Sequence, residues 1–561
     1  MDEGEPNRAG DQRDHGGGAG GGGDTADDPL VDAVRTALAD ETYERFDERI
    51  AEQAEQVRDD CATGRLDNAD YAVGLELESY VVDSRARLRH VPDGAAEAGG
   101  FASELGRHNL EVNTAPDVFS PAGLDKQADR LVQAVADARA TVAAAATEEA
   151  DAGGTEGGSG GEPTAEGRPR PVLDAMWAAP PVAGTSVYLS AGEARGGVWF
   201  AANMTPNPRY HALDADTLRR MDNGIPIDLP GVDHQFPSIL VESLATSIQP
   251  HLQIPEAADL GRYLRYATRI LGPVVALTAN SPFLPADLYP EHVDPEAVLS
   301  GPHELRVPVY EDSINPPGTE KVRVPDDVAD AGEAVDAIAA DETFAPVCTD
   351  PDEVADDATY RDQFPEFAHK HGTFWRWVRP VFGGDVPAAG DAPADGNDDG
   401  SVRLEFRPVP TQPTVRDCVS VQALVAGALR GLDATDHPLR DLPWEAARDS
   451  FYAAVADGPG ADLAWITADG IRTDDPDRAL EDLLSVARTG LAEAGFPEPE
   501  IDRWLDPMAA RQVAAITPSV WKKHRVRAGM AHGESFHEAV RAMQWEYIEL
   551  SEATDSFTEW L

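Results

Sequence analysis

Lysine is almost missing from this chain. Lys126, Lys321, Lys370, Lys522 and Lys523 are all there are in 561 residues, so nearly every cation is an arginine. Against 46 Lys and Arg stand 101 Asp and Glu, a formal net charge of −55 with a pI near 4.4. With no basic patch to displace counterions from phosphates, nucleic acid and an anionic membrane surface are excluded as partners. Such an excess of carboxylate fits a halophilic protein in a salt-rich cytoplasm, where acids keep the surface hydrated and Debye screening removes most self-repulsion. An isolated Asp or Glu is therefore weak information here. An acid set between apolar residues is not.

Cysteine is scarce too. Cys61, Cys348 and Cys418 are odd in number, far apart and without metal-ligand spacing. That excludes a disulfide framework and suits a reducing, cytoplasmic setting. The N-terminal "MDEGEPNRAGDQRDHGGGAGGGGDT" has no apolar stretch, which argues against a signal peptide. The longest apolar run, "ILGPVVALTANSPFL", is interrupted by Gly, Pro and Asn and is too short to span a bilayer. No Gly-rich loop ending in Lys-Ser/Thr occurs, which excludes phosphate binding of the P-loop kind.

What is present has a clear order. Residues 1–28 form a Gly- and Asp-rich tail expected to be disordered. A helical pattern covers about 29–60, and an Ala-rich helix about 122–149. It runs into a low-complexity insert at 150–168. A second insert at 385–400 sits between two strand-like segments, as a hairpin loop would. We expect an ordered core over 29–430 and a mainly helical C-terminal part, 431–561, packed on it.

Four segments share one habit. In "GLELESYVVD", Leu75, Leu77 and Val81 alternate with Gly74, Glu76, Glu78 and Tyr80. "HNLEVNTAP" alternates Leu110 and Val112 with Asn109, Glu111 and Asn113; "TSIQPHLQIP" alternates Ile248, Leu252 and Ile254 with Gln249, His251 and Gln253. "SVRLEFRPVP" alternates Val402, Leu404 and Phe406 with Arg403, Glu405 and Arg407. Each reads as a strand with one apolar and one polar face, and one-sided wetting of an antiparallel sheet produces such alternation without any function. Four strands with Glu, Gln, Asn, His and Arg on the same side predict more, a curved antiparallel sheet with a polar binding surface. Glu76, Glu78, Glu111 and Glu405 offer oxygen ligands of the kind Mg²⁺ or Mn²⁺ takes. Arg403 or Arg407, next to Glu405, offers forked hydrogen bonds to phosphate. Acids for metals and arginines for phosphate together suit a nucleoside triphosphate.

"GLELESYVVD", "ELGRHNLEVNTAP", "TSIQPHLQI", "LTANSPF" and "RLEFRPVPTQPTVRD", in this order, resemble the glutamate–cysteine ligase family, in its bacterial, archaeal and plant-type carboxylate–amine ligase branch. The resemblance spans about 70–430. It implies an α+β, glutamine synthetase-like fold, with a six-stranded antiparallel sheet forming a funnel surrounded by helices. It also implies ATP as co-substrate, Mg²⁺, and a γ-glutamyl phosphate intermediate displaced by an amine, with γ-glutamylcysteine as the leading product and a part in its or glutathione's biosynthesis. On the same basis Glu76 and Glu78 match a Glu-x-Glu metal strand, and Glu104, Glu111 and Glu405 further metal ligands. Arg407 matches a phosphate-facing Arg, catalytic with Glu405. His251, with Gln249 and Gln253 beside it and Arg403 opposite, falls in the nucleotide strand. Asn113 and Thr114 match residues near the amino-acid substrate. The alternatives are a ligase joining another acid or amine, and a non-catalytic nucleotide- or amino-acid-binding member of the fold. The partners expected are small molecules, with a homo-oligomer left open.

Three other features carry expectations. "HKH" (His369, His371) is placed on a strand face, as a polar contact in preference to zinc, because no third ligand is evident. In "TFWRWVRP", Trp375 and Trp377 are read chiefly as packing, and Arg379 as a clamp for a substrate carboxylate. Arg306 in "ELRVPVYED" is a similar candidate.

Overall fold

The computed structural model describes residues 28–152, 169–350, 355, 358–384, 386–387 and 400–561. The expected disordered tail and nearly all of both inserts lie outside the described residues.

The polar and apolar alternation resolves into one antiparallel sheet. Its strands are β1 (Ala72–Val82), β2 (Ala102–Ser103), β3 (Asn109–Asn113), β4 (Asp117–Val118), β5 (Arg170–Val172), β6 (Ile248–Ile254), β7 (Val378–Phe382) and β8 (Val402–Phe406). Six of them form a continuous path, β7-β8-β6-β1-β3-β2, while the short β4 and β5 pair with opposite ends of β1. The expected six-stranded path is present, with two strands added. β7 and β8 flank the second insert as a hairpin. Pro250 sits inside β6 without cost to the ladder. Ile248 sends its N–H towards Val409 O, so the N–H missing at 250 belongs to the same side, where pairing with β8 stops at His251 opposite Glu405.

Helices surround the sheet. They are α1 (Pro29–Ala37), α2 (Asp40–Thr63), α3 (Pro121–Ala152), α4 (Leu260–Thr278), α5 (Arg306–Ile314), α6 (Pro365–Gly372), α7 (Val415–Ala434), α8 (Trp444–Asp457), α9 (Pro476–Glu493), α10 (Glu498–Ala514) and α11 (Pro518–Ala531). Asp28 caps α1 through the Leu30 N–H, with Pro29 in its first turn. The single helical pattern of 29–60 thus becomes two helices. Thr414 caps α7 through the Asp417 N–H. The buried, mostly apolar α4 and α7 pack against the apolar face of the sheet, made by Leu75, Leu77, Ile248, Leu252, Leu404 and Phe406. α7 and α9 cross backbone to backbone, because a Cβ on Gly490 would collide with the Gly427 carbonyl and one on Gly431 with the Val486 carbonyl.

Buried ion pairs bind the C-terminal helices to the sheet layer. Arg511 of α10 reaches Asp417 of α7 at 3.0 Å, and both side chains are fully buried. Lys522 of α11 meets Asp174 at 2.5 Å; the same carboxylate accepts hydrogen bonds from the Tyr80 hydroxyl of β1 (3.1 Å) and Gln544 (2.8 Å). Among the described residues no helix is long and apolar enough to cross a membrane.

One expectation is corrected here. His369 and His371 do not share a strand face; they lie in the last turn of α6. Pro365 opens that helix, and the bulky "TFW" that suggested a strand comes only after Gly372 ends it. Each ring is tied to a backbone carbonyl instead, His369 Nε2 to Ala345 O (2.9 Å) and His371 Nε2 to Pro380 O (2.7 Å).

Candidate active site

Register, not sequence distance, assembles the site. Glu76 lies between Gln249 of β6 and Asn113 of β3, and Glu78 lies opposite Glu111. Gly74 faces His251, which faces Glu405, which faces Arg379 of β7; Gln253 faces Arg403. All these side chains therefore share one face, because directly paired residues in a ladder point the same way. Arg407 follows the end of β8, and Arg306 of α5 donates from Nη2 to the Arg407 carbonyl at 2.8 Å.

Arginines cluster around a single acid. Glu405 accepts a fork from Arg379, with Nε at 3.0 Å and Nη2 at 2.9 Å, and a further bond from Arg407 Nη1. Burial works against a charge here, but Arg379 and Arg407 outweigh it and hold Glu405 well below the usual carboxylate range. Arg407 also donates to Gln249 Oε1 at 2.6 Å. Arg306 is almost wholly buried, stacks on Trp377 and Tyr310, and leaves Nε and Nη1 without partners. With Arg306 over its ring and Phe451 against it, Trp377 is packed and not open for stacking.

The other acids lack such company. Glu111 is pushed up to about 11 by burial and by Glu104 and Glu76; Glu104 is raised by burial and by Glu76. Glu78 is pushed to about 7 by burial and Glu104, although the Ser247 N–H (2.6 Å) and Gln249 Nε2 (3.0 Å) donate to it. Arg306 and Arg407 offset only part of this repulsion, and crowded oxygen donors fit a hard divalent ion, which would relieve the rest. The nearest approach to a ready metal cluster among the described residues is Glu76, His251 and Glu405, whose donor atoms lie within 4.8 Å of one another. Two of the three are already committed. Both oxygens of Glu405 hold arginines, and His251 Nδ1 accepts from Arg403 Nε at 3.0 Å. A neutral imidazole that accepts at Nδ1 carries its proton on Nε2, so His251 presents an N–H, 3.3 Å from Glu76, and not a metal-binding lone pair.

A cavity of about 480 Å³ opens at the Gly74 end of this face, lined by Glu76, Asn113, Thr114, His251, Gln253, Arg361 and Arg403 among others. Asn113 is exposed and donates to Glu111, while the Thr114 hydroxyl ties Leu75 N–H (2.8 Å) to Gln127 (2.6 Å), fastening β3 to β1. Gln253 is likewise anchored, to Asp70 O at 3.1 Å.

A sequence model of the glutamate-cysteine ligase family 2 (GCS2) matches residues 72–541, most of the chain. The protein belongs to this family. It is, accordingly, a carboxylate–amine ligase, and the match runs through the C-terminal helices, well past the 70–430 stretch that carries the motifs. No curated protein matches it at the sequence level. Among solved structures it is similar to the Francisella tularensis glutamate–cysteine ligase in complex with AMP, at 12% identity and TM-score 0.48, over 87% of this chain and 90% of that one. A bifunctional glutathione synthetase from Pasteurella multocida follows at 14% and 0.40, over 89% of this chain and 54% of that one. The ligase PafA, in complex with the prokaryotic ubiquitin-like protein Pup, follows at 10% and 0.30, over 83% and 70%.

Several residues facing this ligase family member's site escaped the strand pattern. Arg361 comes from the one-turn helix Tyr360–Gln363, Tyr310 from α5, and Glu242 from the 3₁₀ turn Ile239–Leu244. None lies on an alternating strand, and in so acidic a chain a lone Glu gives no signal. The one clue at Glu242 is its setting in "SILVESLA", an acid in an apolar run.

Proposed function

We propose that this ligase is an ATP- and Mg²⁺-dependent glutamate–cysteine ligase that forms γ-glutamylcysteine through a γ-glutamyl phosphate. One observation carries the reading: crowded acids and a Glu405-held set of arginines share one sheet face beside the 480 Å³ cavity. Glu76, Glu78, Glu104 and Glu111 would hold Mg²⁺ (or Mn²⁺), which when bound neutralises charge on the β- and γ-phosphates. Gln249, His251, Gln253 and Arg403 line the nucleotide side, where the His251 Nε2, without a hydrogen-bond partner, could donate to a phosphate oxygen. A γ-carboxylate oxygen attacks the γ-phosphorus and ADP leaves; Arg407, fixed by Glu405 and Gln249, stabilises the charge on the transferring phosphoryl group. Arg306, with two unpaired donors, orients the substrate carboxylate; Arg379, whose donors are taken by Glu405 and the His371 carbonyl, supports Glu405 instead, while Asn113 and Thr114 wall the amino-acid side. The amine nitrogen then bonds to the acyl carbon and phosphate departs. We place the catalytic core at 29–430, with 431–561 bracing it through the Arg511 and Lys522 ion pairs, and assign a salt-rich cytoplasm as its setting.

ADP release, measured with pairs of amino acids in molar KCl and Mg²⁺, tests this. Glutamate with cysteine is expected to give the highest turnover. Another pair alone would overturn the substrate assignment, and no release with any pair would overturn the ATP-dependent reading. Lowering KCl to about 0.1 M lengthens the Debye length from about 3 to 10 Å and should reduce both turnover and thermal stability; a flat response removes the halophilic assignment.

A further inference from the structure

The segment "LTANSPF" closes α4 and runs on past its end. Its Asn280 and Ser281 are fully buried, and so is Glu304, which Ser281 meets in an isolated parallel bridge. Asn280 Nδ2 fastens the segment to the core, donating to Thr411 O (2.8 Å) and to the Tyr547 hydroxyl (2.9 Å). Pro282 restricts Ser281 to extended backbone, and the Ser281 carbonyl accepts from the Leu305 N–H at 2.8 Å.

Glu304 departs from the habit of the buried acids Asp417 and Asp174. Each of those bonds a cation directly. Among the described residues Glu304 accepts only from the Ser281 hydroxyl and, at 2.9 Å, from the Asn280 N–H. Two residues on, Arg306 is nearly as deeply buried and bonds no acid. Burial pushes its guanidinium down, and Glu78 and Glu304 are among the charges that offset this. A buried acid and a buried cation thus stand close in the chain without forming an ion pair. Ser281 lies between them: its hydroxyl donates to Glu304 Oε1 and accepts from the Arg306 backbone N–H at 3.1 Å. A direct pair would occupy the guanidinium. The relay through the backbone leaves Nε and Nη1 without partners.

The start of α5 needs this outside help. The helix opens at Arg306 with no capping side chain of its own, so its first N–H groups have no partners within it. A cation there also meets the positive end of the backbone dipole, which the Glu304 charge just before it offsets. At its far end the side chain is held by Nη2 on the Arg407 carbonyl (2.8 Å) and by stacking on Trp377 and Tyr310. We propose that Glu304 and Ser281 are positioning residues that fix Arg306 at the start of α5 and keep its Nε and Nη1 free for the substrate carboxylate. The inference rests on the ligase reading above and deepens it.

The test uses the full-length protein in molar KCl with Mg²⁺, ATP, glutamate and cysteine. Ser281→Ala removes the relay; Glu304→Gln keeps the side chain's shape but offers one oxygen to two donors. The expected result in each is a KM for glutamate raised at least about tenfold, with kcat and the KM for ATP within about threefold of wild type. Added to Arg306→Ala, either change should raise the glutamate KM less than about twofold further, because the side chain it positions is gone. Equal losses for glutamate and ATP, or full additivity with Arg306→Ala, would show a merely structural role and overturn the assignment, as would an unchanged glutamate KM. If Glu304→Gln does not fold, Ser281→Ala decides by the same split; if Arg306→Ala is inactive, the single variants decide. A wild-type protein that releases no ADP with glutamate would sink the ligase reading, and this inference with it. Wild-type turnover with an unmoved glutamate KM in the variants sinks the inference alone.

Discussion

Two regions of this protein bury charge, and they treat it in opposite ways. Between α7 and α10, Asp417 accepts from Arg511 (3.0 Å), the Ser556 hydroxyl (3.1 Å) and the Phe557 N–H (2.9 Å), while Asp174 accepts from Lys522, Tyr80, Gln544 and the Ala175 N–H. Each acid there has a cation and several donors. On the polar sheet face only Glu405 holds an arginine fork; Glu78 is raised by burial and Glu104, Glu104 and Glu111 share a hydrogen bond with no cation between them, and Glu242 keeps an unpartnered oxygen. Satisfied buried charge joins parts of the fold. Unsatisfied buried charge is stability withheld for a ligand.

The comparison breaks most visibly on the structural side. Asp417→Ala strands the buried Arg511 guanidinium and should cost about 3–5 kcal/mol in denaturant unfolding at molar KCl. A loss below about 1 kcal/mol would mean that the pair does not join α7 to α10. On the sheet face the effects should reverse, with activity lost and the fold kept. Glu76→Gln is expected to lower ATP turnover at least about a hundredfold, roughly 2.7 kcal/mol in the barrier, with an unfolding midpoint no lower than wild type. Near-normal turnover in that variant would remove Glu76 from the metal set.

Arg407 tests the border between the two regimes, since it is held by Glu405 yet faces the site. Arg407→Ala should lower kcat more than it raises the KM for ATP, by about 2 kcal/mol; Arg407→Lys, which keeps charge but loses the fork, should lie between. A change confined to KM would make it a binding residue only. The smallest effect expected is on pH dependence. The folded pKa of Glu78, about 7, lies above an unfolded value of about 4.3, so the native state binds its proton more tightly. Its contribution is complete below about pH 4.3 and is lost as pH rises through about 7. Without divalent ions, stability should fall by about 1 kcal/mol across that window, discounted for the solvent that the carboxylate still meets, and Glu78→Gln should flatten the slope. Equal slopes in the two proteins would place the repulsion elsewhere.

Much of this was legible before any coordinates. The period-2 alternation located β1, β3, β6 and β8 and the face each turns to the site, because a strand's side chains have no third direction. The second insert between two strand-like segments foretold the β7–β8 hairpin. The "HKH" segment misled because three residues of alternating polarity fit a helix end as well as a strand, and Pro365, several residues upstream, decides for the helix.

By itself, then, the sequence determined the polar face and its chemistry: which acids, amides and arginines stand on which strands, and a family resemblance that the match over 72–541 establishes. Only the tertiary structure decided how those residues divide the work. Pairing register put Arg379 and Arg407 on Glu405 and made it an anchor for cations, while leaving Glu111 beside Glu104 and Glu76 with none. It turned His251 so that Arg403 takes one ring nitrogen, and it brought Glu242 from a 3₁₀ turn to the end of the acid row. The physical reason is that a charge's role depends on what lies within a few ångströms of it and on how much water remains there. Neither quantity is local in sequence.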